Sequence, residues 1–125
     1  MRLGGLRPPS KEGIEMWIFT TKGFLSIVQH KDLPDHFQVK SRAADPLKHF
    51  WPEQEIEVID LADYRFRINI PKEDAVQVLT ETIGSVGYTS FKNACEDDDY
   101  HRALVSVWGI MYNFQSRIEA RPRRS

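Results

Sequence analysis

Cysteine is nearly absent from this chain: Cys95 is the only one in 125 residues. A lone thiol closes no internal disulfide, and a secreted domain of this size usually carries several. The cytoplasm is therefore the expected compartment. No apolar run approaches the roughly 18 residues needed to cross a bilayer. Residues 1–15 carry Arg2 but no apolar stretch behind it, which excludes a secretory leader; no membrane partner is expected. A basic surplus is missing too. The net charge is -1, and residues 16–117 alone carry -4, because basic side chains gather at the two ends. Nucleic-acid binders normally show a positive folded domain, since neutralising phosphates drives their affinity.

Catalytic and ligating patterns are absent as well. His30, His36, His49 and His101 include no pair at helical spacing, and there is no second cysteine to complete a zinc set. The sequence holds no G-x-G-x-x-G, no Walker loop and no G-x-S-x-G elbow. No catalytic residue, metal or cofactor is expected. Cys95 is followed directly by Glu96, Asp97, Asp98 and Asp99. Such a run disfavours a thiolate, so Cys95 reads as a packed residue at a helix end. The four acids lack the alternating ligands and central glycine of a calcium loop. They suit the N-cap and first turn of the helix that follows.

What is present is enough apolar sequence for one domain: 41% of the residues are hydrophobic. Residues 1–15 (MRLGGLRPPSKEGIE) mix glycine, proline and charge without periodicity, and read as a disordered extension. Met16 is a natural start for the folded part. Residues 119–125 (EARPRRS) read as a basic tail, leaving 16–118 as a single α+β domain. Met16–Thr21 and Phe24–His30 read as a hairpin across Lys22-Gly23. Trp17, Phe19, Phe24 and Val28 then share one face, and Met16, Ile18, Leu25 and Ile27 the other; both are apolar, so both should be covered. His36–Arg42 alternates as a half-exposed strand. Asp45-Pro46 reads as an N-cap and first helical residue, with Pro52 ending that short helix.

The acidic stretch 53–63 is a loop or ragged edge strand. Tyr64–Ile70 is the clearest strand, with Tyr64, Phe66, Ile68 and Ile70 on one face and Arg65, Arg67 and Asn69 on the other. A helix from Pro71 to about Ile83, one or two turns in 88–95 and a final helix over about Tyr100–Arg117 complete the order β-β-β-α-β-α-α-α. A four-stranded antiparallel or mixed sheet with helices packed on it is the predicted architecture. The last helix has too many apolar residues for one stripe; it is buried or faces a partner, and Trp108, in its densest stretch, is expected in the core.

Four segments taken together, MWIFTTKGFLSIV (16–28), ADYRFRI (62–68), YTSFK (88–92) and VWGIMYNFQ (107–115), carry a resemblance. The chain resembles a set of small bacterial and phage-type proteins with an aromatic N-terminal hairpin and an A-D-Y-R-x-R strand. The likeness covers most of 16–117. It implies a bacterial, cytoplasmic α+β protein and carries no activity with it.

One constellation of side chains remains. Arg65 and Arg67 share the polar face of one strand, and Lys40 and Arg42 that of another. Side by side, those strands would gather four cations, with Trp17 on the hairpin as an aromatic neighbour. Such a face suits an anionic ligand, single-stranded nucleic acid or an acidic protein; pairing with Asp60, Asp63 or Glu57 would make it an ordinary solvated surface. With no catalytic motif, the expected function is a non-enzymatic module that binds another protein or a copy of itself. The alternative is anion or single-stranded nucleic-acid binding through Lys40, Arg42, Arg65 and Arg67.

Overall fold

A computed structural model describes residues 15–122. The chain divides into two compact units, with the boundary after Val86. The first holds an antiparallel sheet and two helices. Strands β1 (Glu15–Thr20), β2 (Gly23–Gln29) and β3 (His36–Ser41) are followed by helix α1 (Asp45–Phe50), the two-residue strand β4 (Glu57–Val58), strand β5 (Phe66–Pro71) and helix α2 (Lys72–Gly84). Their order across the sheet is β1-β2-β3-β5-β4, every neighbour antiparallel.

The sheet thus has five strands where four were predicted. The extra one is Glu57–Val58, which pairs with Arg67 and Phe66. Two residues are too short to show an alternation, which is why the acidic stretch reads equally as a loop or as the ragged edge strand it contains. The predicted Tyr64–Ile70 strand begins later, at Phe66, because the chain is still turning: Leu61 has a positive φ of 70°, and the Ile59 N–H donates to the Arg65 carbonyl at 2.8 Å.

The hairpin loop is Thr21-Lys22 rather than Lys22-Gly23, since Thr20 pairs with Gly23 and Phe19 with Phe24. The expected division of its faces holds, because moving both loop positions by one residue preserves the parity of every side chain. Gly23 opens β2 with φ +141°, and an added Cβ there would overlap the Pro46 ring. That close approach seats the start of α1 on the hairpin. Asp45 lies inside the first turn of α1, and the N-cap is Ala44.

One sheet face carries the core. Leu25, Ile27, Val39, Ile68 and Ile70 meet Leu47 and Trp51 from the α1 end and Ala75 from α2, with Phe37, Phe66, Val78 and Leu79 around them. Each such aliphatic side chain removed from water contributes about 1.5–3 kcal/mol. The opposite face is open. Trp17 is 60% exposed, so the expected cover on both faces of the hairpin is absent. Apolar residues on both sides of the hairpin suggested burial, but only the side aimed at α1 and α2 finds a layer to pack against.

The second unit holds α3 (Phe91–Ala94) and α4 (Asp98–Glu119). Asp97 caps α4, its carboxylate accepting the Tyr100 N–H at 2.9 Å, and Asp98 and Asp99 fill the first turn. The acidic run therefore does at this end what a macrodipole favours. Cys95 and Leu104 are buried, and the Lys92 ammonium sits 4.9 Å from the Trp108 ring centre.

Among the described residues no helix is long and apolar enough to cross a membrane. The predicted extension 1–15 lies outside the described residues, apart from Glu15, which is the first residue of β1. The predicted tail 119–125 is described only to Pro122.

Candidate functional site

Strand register builds a polar row across the open face of the sheet. Trp17 of β1 pairs with Ser26 of β2, Ser26 with Lys40 of β3, Lys40 with Arg67 of β5, and Arg67 with Glu57 of β4. Alternation places all five on the side away from the core. A second row runs Glu15, Val28, Gln38, Asn69. Of the predicted cations, the register therefore brings Lys40 and Arg67 face to face.

Arg42 and Arg65 lie beyond the strand ends and are occupied elsewhere. Arg42 Nη1 donates to the Asp63 carbonyl at 3.1 Å and pairs with its carboxylate at 3.2 Å. Arg65 Nε pairs with Asp60 at 3.0 Å. Both pairs are exposed, so each is worth little to stability. Their effect is to remove two of the four cations from the account of free charge. The Arg42 guanidinium also lies 4.5 Å from the Tyr64 ring centre, and Lys40 Nζ 5.5 Å from the same centre.

Arg67 is held by neutral acceptors. Its Nη2 donates to the Tyr64 carbonyl at 2.9 Å and its Nη1 to Gln38 Oε1 at 3.5 Å. Its Nε is buried and has no hydrogen-bond partner among the described residues. Gln38 is fixed in turn, donating to Asn69 Oδ1 at 3.1 Å. Among the described residues neither Lys40 nor Arg67 has a carboxylate within ion-pair distance.

Trp17 stands at the margin of this surface. Its Nε1 donates to Glu15 at 2.8 Å, and Ser26 Oγ donates to the same carboxylate oxygen. These two donors, Ser26 first, hold the Glu15 carboxyl below its ordinary range, with Lys40 adding a smaller pull. Trp17 and Phe19 both contact Phe24, which stacks on Tyr64 at 6.2 Å between centres. The open face thus carries an aromatic strip beside its polar rows. Glu15, Gln38 and Asn69 were not singled out by the sequence pattern. For Glu15 a signal exists: it precedes Trp17 by two and shares its face.

The second unusual surface is α4 beyond its first turns. Trp108, Ile110, Met111, Tyr112, Phe114 and Ile118 are all more than 40% exposed. Trp108 was expected in the core; it is 56% exposed and stacks on Tyr112 at 5.5 Å. An apolar groove of about 470 Å³ runs along Trp108, Met111, Tyr112, Phe114 and Ile118. Arg102, Ser106, Gly109, Asn113 and Ser116, spaced four, three, four and three residues apart, form a polar stripe along α4, and Gln115 stands in the wall of the groove.

Cys95 donates its S–H to the Phe91 carbonyl at 3.3 Å. Its thiol is pushed up by burial rather than by the acids beside it, which corrects the cause inferred from sequence. Among the described residues no three His, Cys, Asp or Glu side chains gather as a metal site. Comparison with family models, curated proteins and solved structures finds no match.

Proposed function

We propose that this chain is a non-enzymatic interaction module, and that it docks through the C-terminal half of α4 onto a second copy of itself. One observation carries the reading: six large apolar side chains between Trp108 and Ile118 stand exposed along a single stretch of helix. Contiguous apolar exposure of this kind marks an interaction surface, because water is a poor solvent for it. Two antiparallel copies of this stretch oppose their helix dipoles, which favours that orientation over a parallel one.

Thiol labelling tests this in solution. Cys95→Ser with Gln115→Cys places one thiol at the rim of the α4 groove. At high protein concentration its labelling rate should fall by roughly tenfold or more, since an interface excludes reagent and water. A rate independent of concentration would count against self-association through this face.

A further inference from the structure

Beyond that reading, and independent of α4, we infer that the open sheet face carries a binding site for a small oxyanion, a carboxylate or a phosphate monoester, between Lys40 and Arg67. The register makes these two residues direct cross-strand partners. Like charges directly opposite in an antiparallel pair repel. The fold gives each outer arginine an aspartate in ion-pair contact; among the described residues the inner pair has no carboxylate at that distance, although Glu57 is Arg67's cross-strand partner on its other side. Arg67 donates its hydrogen bonds to a backbone carbonyl and a side-chain amide oxygen, which fix its position without cancelling its charge. An oxyanion seated between the two cations removes the repulsion and accepts from both, and charge-assisted bonds of this type are the strong ones.

The surroundings suit a ligand of limited size. Lys40 and Arg67 line a depression of about 710 Å³, within the range of small-molecule sites. His30 also lines it. Its Nδ1 accepts the backbone N–H groups of Asp32 and Leu33, so the neutral ring carries its proton on Nε2 and is a further donor. Asn69 supplies a side-chain amide at the same wall. Against these stand Glu15, Asp32 and Glu57, also in the lining. With Lys31, Lys40 and Arg67 they bring the formal charge of the lining to zero. A polyanionic strand gains nothing from a neutral surface. A small ligand with one anionic group seats between Lys40 and Arg67, on the side of Arg67 away from its other cross-strand partner, Glu57.

The test uses the full chain, titrated by NMR with inorganic phosphate and separately with acetate, at ionic strength held constant with chloride. Saturable shifts of the Ser26, Lys40, Arg67 and Asn69 amides are expected. Among the described residues the Lys40 side chain makes no hydrogen bond and only a cation–π contact with Tyr64, so the fold should survive Lys40→Gln; the change should weaken binding by about tenfold, the loss of one charge-assisted contact. Arg65→Gln, outside the depression, should bind like wild type. A response to phosphate alone assigns a phosphate ester and a response to acetate alone a carboxylate, and either supports the site. No saturable shift with either ion, or equal binding by Lys40→Gln, overturns it. Salt-sensitive binding of a single-stranded oligonucleotide that Lys40→Gln abolishes would also overturn it, in favour of a nucleic-acid surface.

Discussion

Gly23 shows how much one residue decides in this fold. Its φ of +141° lies where side chains are strained, and the Pro46 ring occupies the space a Cβ needs. Gly23→Ala should therefore lower stability by about 1–3 kcal/mol, the usual cost of an unfavourable backbone region, read as a shift in the urea midpoint. Glu15 offers a test by pH. Its carboxyl is held down by Ser26 and Trp17, so the folded state favours the ionised form. That contribution is complete above the ordinary value near 4.5 and is lost as pH falls through the lower folded-state value. Wild type should melt above Glu15→Gln at pH 7, and the two should converge at low pH; an equal gap at both ends of the range would show that charge is not the cause. Cys95 belongs at this scale too. Buried, with its thiol pushed up and donating to Phe91, it should react with a thiol reagent roughly tenfold slower than free cysteine at neutral pH.

At the scale of elements, α4 and the sheet make opposite predictions for residues that look alike in sequence. Ile68 is fully buried between the sheet and its helices, so Ile68→Ala should cost about 2–5 kcal/mol. Trp108→Ala removes a larger side chain from a more exposed position, and should cost the isolated chain less than about 1 kcal/mol while weakening self-association. Gly109 lies on the polar stripe of α4 with open space around it. Gly109→Ala should gain about 0.5–1 kcal/mol from helix propensity and leave association unchanged.

The same contrast shows what periodicity conveys. The alternation of Phe37, Val39, Phe66, Ile68 and Ile70 reports which sheet face is apolar, and the core lies there. The hairpin faces were legible for the same reason, down to the grouping of Trp17 with Phe24. A helix with apolar residues on most sides reports only that it seeks cover. Whether the cover is the chain's own core or another molecule is a matter of which surfaces exist nearby, and local sequence does not encode that. Strand β4 was legible only as one of two alternatives, loop or ragged edge strand, since its two residues are defined by a partner strand and not by a pattern of their own. The central Lys40–Arg67 pairing follows from alternation plus strand order; sequence supplied the first and only the fold the second.

For the molecule as a whole, association should be driven by apolar area. The whole chain carries a net charge of only -1, so repulsion between copies is weak and association should change little with salt, unlike binding by a cationic phosphate-binding surface. Sedimentation velocity across a concentration series addresses the central claim directly, because it reads the mass of the species that forms. The wild-type chain should pass from monomer to dimer as concentration rises, and Met111→Glu, which sets an unpaired carboxylate in the α4 groove, should remain a monomer throughout with its sheet intact. A wild-type chain that sediments as a monomer at every concentration, or a Met111→Glu variant that dimerises equally well, would contradict the account.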